Sequence, residues 1–260
     1  MSVKAGLNRA WRTYNAGLLR AVAPFPSTTV LDPYFLYQFH FNRNLRAVAP
    51  SVGGLVVDIG CGRKPYRGFL TCDRYVGVDL PYYSGGMQDV SPAADAYGDA
   101  VALPLRDVVA DAVVAFQVLE HTPKPREVIK EAYRVLKPRG ALLLTVPQSY
   151  PIHGEPHDYF RYTAYGIRHL LEEAGFRVVS IRQNGHFGSY MGLMLNKYLF
   201  QHFAEFRSNY LLKAFLGLCK ILLTPVLLLL VFVVNLFGLL VDALHRDPYF
   251  TSNYTVLARK

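Results

Sequence analysis

Glycines, aspartates and histidines at particular spacings carry the chemistry open to this chain. Val56-Val57-Asp58-Ile59-Gly60-Cys61-Gly62 reads as a buried strand ending in an acid, followed by a glycine-rich turn. Gly60 and Gly62 let the backbone bend sharply and approach a ligand where a Cβ would clash. Asp79 falls near the end of the next apolar run, Tyr75–Leu80. A carboxylate there can accept two hydrogen bonds from a ribose diol. This layout suits a nucleotide lying over the carboxyl ends of parallel strands. Dinucleotide enzymes share it, but Pro65 stands where their third glycine would be. Lys64-Pro65-Tyr66 is also a poor start for the helix that would face a pyrophosphate.

Proton-transfer chemistry gathers further along. Glu120-His121 follows the run Ala112–Phe116, and His153-Gly154-Glu155-Pro156-His157-Asp158-Tyr159-Phe160-Arg161-Tyr162-Thr163 follows Ala141–Val146. His157 oriented by Asp158, or alternatively His121, is the candidate general base. Arg161 and the aromatic residues are candidates to hold an anionic or sugar-like acceptor. The alternative is that the aromatics only pack the loop, with Thr163 capping the next helix. His153, Glu155, His157 and Asp158 are metal-ligand types. Nothing in their spacing pins a coordination geometry, and no metal is expected.

The elements that must position these residues alternate. Short apolar runs at Leu55–Ile59, Tyr75–Leu80, Ala112–Phe116, Ala141–Val146 and Phe176–Gln183 are separated by helical patterns at Arg126–Leu136 and Ala164–Ala174. The first helix should turn Val128, Ile129, Ala132, Val135 and Leu136 inward. Such alternation predicts an α/β fold with a mostly parallel sheet. Two helices should precede it. One is basic and amphipathic from Lys4 to Val22, and the other runs from about Pro33 to Ala47 with Asp32 as N-cap.

Four blocks resemble class I S-adenosylmethionine-dependent methyltransferases, in particular those with a methyltransferase-11-type domain. They are VDIGCGRKPY at 57–66, YVGVDL at 75–80, GDAVALPLRDVVADAVVAFQVLEH at 98–121 and EAYRVLKPRGALLLTVP at 131–147. The resemblance implies a Rossmann-like, seven-stranded, mostly parallel sheet with helices on both faces. It also implies S-adenosylmethionine as cofactor. Asp58, Gly60, Cys61 and Gly62 would cradle it, Asp79 and Leu80 would meet the ribose, Asp99 and Ala100 the adenine, and Gln117 the methionyl part. The family's Pro-Gly-Gly is Pro138-Arg139-Gly140 here, a departure away from the ligand.

One segment falls outside that plan. Leu211–Leu244 is overwhelmingly apolar, and Ile221–Val241 carries no charge over a length sufficient to span a bilayer. Ser252–Lys260 then alternates like a strand, and the resemblance implies that it enters the sheet beside Phe176–Gln183. Both ends of the apolar segment would then lie on one side. A hairpin, an in-plane helix or an oligomer seam is therefore expected instead of a single crossing, and Thr224-Pro225 invites a kink. Asn209, Lys213, Lys220 and Thr224 make a polar stripe suited to lipid headgroups. The basic N-terminal helix, with Trp11, is expected on the same surface.

The domains expected are 1–50 (N-terminal helices), 51–200 (cofactor-binding domain), 201–249 (apolar helical insertion) and 250–260 (terminal strand). A net charge of +9 favours an anionic surface. The basic residues are dispersed and not interleaved with aromatics, which argues against nucleic acid. Cys61, Cys72 and Cys219 make no pairing pattern, as in a reducing compartment. Residues 1–23 lack the unbroken apolar core of a signal peptide. The expectation is a membrane-associated methyltransferase, monotopic or hairpin, with its catalytic domain on the cytoplasmic side and a lipidic or lipid-linked acceptor. O-methylation is favoured by the resemblance, and a homo-oligomer is compatible. A soluble small-molecule methyltransferase or a non-catalytic cofactor-binding scaffold are the rivals.

Overall fold

The structure is a computed structural model that describes residues 29–81, 94–204 and 210–260, with the side chains of 201–204 and 210–222 outside that description. The Lys4–Val22 helix with Trp11, and the stripe through Asn209, Lys213 and Lys220, lie outside the described residues. Two compact units emerge, a sheet unit (41–184 and 250–260) and a helical unit (to His40 and 185–249).

The sheet unit holds seven strands: β1 Leu55–Ile59, β2 Arg74–Asp79, β3 Ala96–Tyr97, β4 Ala110–Phe116, β5 Leu136–Pro147, β6 Arg177–Gln183 and β7 Asn253–Arg259. Their order is β3-β2-β1-β4-β5-β7-β6. β1 pairs parallel with β2 and β4, β2 with β3, and β4 with β5. β7 runs antiparallel to both β5 and β6. The strand order reverses between β1 and β4, which makes the crevice beyond their carboxyl ends the place for a ligand. This is the Rossmann-like methyltransferase fold that the resemblance implies, with the terminal strand beside β6 as expected.

The strands form because both faces are covered. Val57, Ile59, Val113, Ala115, Leu142, Leu144 and Val256 share one buried cluster with Val128, Ile129, Ala132 and Val135 of α2 (Pro125–Val135) and Ile167 and Leu171 of α3 (Ala164–Glu173). Side chains of the other parity point to the opposite face. There Phe116 meets Phe41 of α1 (Phe35–Val48) and the Tyr66 ring. Thr163 caps α3, accepting from the Gly166 N–H at 3.0 Å. α1 begins two residues later than expected, because the Asp32 carboxylate accepts the Tyr34 N–H at 2.7 Å in a turn before the helix. Arg139 adopts φ +66°, the left-handed conformation that explains the family's glycine at this place.

In the helical unit, α4 (Phe187–Ala204) packs antiparallel on α5 (Tyr210–Leu244). Their backbones nearly touch. A Cβ on Gly188 would stand 2.5 Å from the Gly238 carbonyl oxygen. α5 continues through Pro225 for 35 residues, so the expected break at Thr224-Pro225 does not occur. The lost amide hydrogen bond is one among many in a helix this long. No hairpin forms within α5. The reversal lies before it, where α4 leads out and α5 returns.

Candidate functional site

The turn after β1 is tied to the end of β2. Gly60 and Cys61 donate backbone N–H bonds to the Val78 carbonyl, at 2.9 and 3.3 Å, and Gly62 donates to Asp79 Oδ2 at 2.7 Å. Asp79 Oδ1 accepts the Leu80 N–H. Gly60 (φ +66°) could not carry a side chain, since its Cβ would stand 2.7 Å from Val118 Cγ2. Gly62 (φ +49°) differs, because a Cβ there would meet nothing within 4 Å. The backbone at Gly62 thus faces open space beside the Asp79 carboxylate. That cradle fits the ribose and methionyl portions of S-adenosylmethionine.

Asp58 lies beneath the turn. It is buried and accepts the Tyr75 hydroxyl. Burial pushes its carboxyl up to about 7 against that hydrogen bond, with the negative charge of Asp79 adding to the rise. Asp58 therefore supports the turn from below. The Cys61 thiol is buried and pushed up to about 12, first by burial and then by Asp58 and Asp79. It stays protonated and packs. Leu80 and Asp99 are exposed, and Ala100 packs against the sheet core. Asp99 Oδ1 accepts the Val101 N–H at 3.1 Å, closing a small turn.

Gln117 closes β4 with φ +57°, a strained conformation for a residue with a side chain. Its amide is held from both sides. Nε2 donates to Thr145 Oγ1 at 3.0 Å, and Oε1 accepts from Asn253 at 2.9 Å. A buried chain continues from Asn253 to Asn184 (3.4 Å) and from Asn184 to Asn44 (2.8 Å) and Thr255 (3.0 Å). One amide N–H of Gln117 is left for a ligand. Sequence reasoning missed Thr145, Asn184 and Asn253: Thr145 reaches Gln117 because β5 lies beside β4, and Asn253 because β7 lies beside β5, with Asn184 behind it. Buried polar positions inside apolar strand patterns were the available signal.

The loop after β5 is organised differently from the expectation. Asp158 accepts two bonds from the Arg161 guanidinium, at 2.6 and 2.8 Å, and one from the His153 N–H at 2.9 Å. The guanidinium holds its carboxyl well below the usual carboxylate range. Asp158 is therefore a clasp within the loop and not the orienting partner of His157, whose Nδ1 lies 3.0 Å from the Tyr159 hydroxyl. Arg161 also donates to the carbonyls of Tyr150, Pro151 and Phe160. A planar donor set this occupied holds the loop's shape, which corrects the role of acceptor grip assigned to it. The Asp-x-x-Arg spacing was the signal for this pairing.

His121 stands in a 3-10 turn, Leu119–His121, after β4. Its Nδ1 lies 2.6 Å from the His157 carbonyl oxygen. A carbonyl only accepts, so Nδ1 carries the proton and Nε2 keeps its lone pair. The Tyr162 hydroxyl donates to the Leu119 carbonyl at 2.7 Å, and the Tyr159 N–H to the Glu120 carbonyl at 2.8 Å. The loop thus fastens this turn. Tyr66 links the turn to the cofactor crevice, its phenol held protonated by burial and by the nearby charges of Asp58 and Glu120. Of the three residues assigned to catalysis, His121 is bonded to the backbone of His157, the His157 ring lies against Tyr159, and Asp158 is taken up by Arg161.

Strand order, glycine turn and acidic strand end together give the sheet unit a Rossmann-like methyltransferase fold. Family comparison points the same way, since residues 57–144 match the methyltransferase domain family. A probable S-adenosylmethionine-dependent methyltransferase of Mycolicibacterium smegmatis is 34% identical over 136 residues, covering 47% of this chain and 52% of its own. An uncharacterized methyltransferase of Mycobacterium leprae is 32% identical over 146 residues, covering 53% and 51%. The chain thus spans about half the length of the curated relatives it matches. Among solved structures, a methyltransferase from Archaeoglobus fulgidus covers 88% of this chain and 100% of its own, at 18% identity and a TM-score of 0.49.

Proposed function

We propose that the protein transfers the methyl group of S-adenosylmethionine to a hydroxyl oxygen of a lipidic or lipid-linked acceptor. An isoprenoid-linked saccharide or glycolipid comes before a quinone-type lipid. The observation that carries this reading is how α5 distributes its side chains. Its inward face holds Thr224, Leu227, Val231, Asn235 and Asp242, all buried, so three of these five side chains are polar. Its outward face shows Val226, Leu229, Val233, Phe237 and Leu240, all more than half exposed. A helix in water does the reverse. Leu223–Leu244 is also long and apolar enough to cross a bilayer, with mean hydropathy 2.6. A domain held at a lipid surface on its cytoplasmic side meets a membrane acceptor at raised effective concentration.

The donor would be held by the backbone at Gly60, Cys61 and Gly62, with Asp79 and Leu80 on the ribose, Asp99 and Ala100 around the adenine, and Gln117 near the methionyl chain. When bound, it supplies an electrophilic methyl on a charged sulfonium. The chain's own work is positioning and deprotonation. Gln117, fixed by Thr145 and Asn253, sets the edge of the crevice, and the His157 imidazole is the base offered to an acceptor hydroxyl.

The test is transfer of labelled methyl from S-adenosylmethionine to fractionated native lipids and, in parallel, to a water-soluble extract. Label should appear in the lipid fraction as an alkali-stable ether. Label confined to water-soluble compounds, with a detergent-free dimer in solution, would make α5 an oligomer seam and overturn the lipid acceptor.

A further inference from the structure

Glu120 is completely buried, yet neither carboxylate oxygen meets a hydrogen-bond donor from another residue. Such a group is costly in any protonation state, because an anion lacks compensation and an acid lacks an acceptor for its proton. Two imidazoles stand beside it. His121 Nε2 is 4.0 Å from Glu120 Oε1, and the His153 ring meets the His121 ring edge-on with centroids 4.8 Å apart. One ligand atom from each of the three residues lies within 4.8 Å of the other two.

The protonation of the rings favours ligation. His121 Nδ1 is committed to the His157 carbonyl at 2.6 Å. His153 Nδ1 lies 3.2 Å from the Pro151 carbonyl and 3.4 Å from Asp158 Oδ2. Both rings therefore carry their proton on Nδ1 and keep a lone pair on Nε2. An outer acceptor on the second nitrogen is the arrangement that orients metal-binding histidines and raises their basicity.

We propose that Glu120, His121 and His153 form a binding site for a single divalent cation of the zinc type. Two imidazoles and a carboxylate suit zinc or its first-row neighbours better than magnesium or calcium, which prefer all-oxygen shells. Ligand atoms around a tetrahedral zinc stand about 3.3 Å apart, so the cluster closes by roughly an ångström on binding. Three protein ligands leave one position open. A hydroxyl placed there loses its proton more readily. That last consequence rests on the proposed O-methylation, whereas binding of the ion does not.

The test uses the full chain, stripped with chelator, dialysed against zinc chloride and assayed for metal content. Titration with cobalt(II) follows the visible bands of a four- or five-coordinate ion. About one ion per chain is expected. Glu120→Gln and His153→Ala should each weaken zinc at least tenfold, and the pair should abolish the cobalt bands, with S-adenosylmethionine affinity and circular dichroism unchanged. His169→Ala, on the exposed side of α3, should change nothing. Metal below one-fifth of stoichiometry, or retained at full affinity by the paired variant, overturns the site. Undiminished lipid methylation by a metal-free chain would likewise leave the function and remove the site's part in it. A bound ion without methyl transfer to any lipid would do the opposite.

Discussion

The two compact units are built on opposite rules. In the sheet unit the strand faces that meet α2 and α3 are mostly aliphatic. Polar groups gather at the carboxyl edge, where Asp79, Gln117 and the loop after β5 face the crevice. In the helical unit the polar groups are inside. Asp242 accepts the N–H groups of His186 and Ser189, at 2.9 and 3.1 Å, and Asn235 bonds Asn196 and the carbonyls of Val30 and Asp32. Leu36 wedges against Gly192 and Gly238, and aliphatic side chains fill the outer face of α5. Water accounts for the first arrangement. The second is the observation on which the proposed lipid reading rests, since polar groups are the ones hidden inside lipid.

That contrast breaks most directly on α5. Leu229→Lys with Val233→Lys places two charges on the outward face, at a cost of about 2.5–3.5 kcal/mol each within the hydrocarbon. Sedimentation with vesicles should fall at least a hundredfold while S-adenosylmethionine still binds. Unchanged sedimentation would end the lipid reading of that face.

The sheet unit's weak point is the buried Asp58. Its carboxyl is raised in the folded chain to about 7 from an ordinary value of 3.8. Between those values the folded state binds the extra proton. Stability is then fullest below about pH 4 and is lost as pH rises through 7, by something of the order of 4 kcal/mol. Asp58→Asn should flatten this slope in denaturant unfolding of the cofactor-free protein. A slope that persists would place the proton elsewhere.

Removing Asp242 probes the helical unit's inner polarity. Asp242→Ala leaves two buried amides unpaired and should destabilise that unit by about 2–3 kcal/mol. Hydrogen exchange in α4 and α5 should quicken while β4 and β5 keep their protection. Uniform loosening of both units would show that the two rules are not independent. Asp79→Ala acts on the other side of the contrast. It should weaken S-adenosylmethionine at least tenfold by calorimetry, about 1.4 kcal/mol, with vesicle binding intact. The smallest effect is a gain. Arg139→Gly relieves a left-handed backbone and should raise thermal stability by about 0.5–1 kcal/mol, visible as a higher melting temperature.

The parts of the molecule legible in its sequence were those set by local pattern. Val128, Ile129, Ala132 and Val135 declare their face of α2 by spacing alone, and the glycines after β1 declare a turn. The final strand was legible in its alternation, and its place beside β6 came from the resemblance. What stayed hidden depends on distant partners. Gln117 meets Asn253 across 136 positions of chain, and the Glu120–His121–His153 cluster joins a turn to a loop some thirty residues on. His157 and Asp158 misled because adjacency in sequence suggested a working pair, whereas Arg161 one helical turn away satisfies the carboxylate better. Pro225 misled because a single missing amide proton weighs little against a helix of 35 residues.

The position of β7 has a consequence for how the protein is made. Its strand lies between β5 and β6 but follows α5 in the chain. A ribosome therefore finishes the greasy helix before it delivers the piece that closes the sheet. During that interval β5 and β6 present open edges, and the nascent chain exposes its most insoluble stretch. The edge of the crevice that Gln117 forms is held by Asn253 of β7, so it is completed only after α5 has been made.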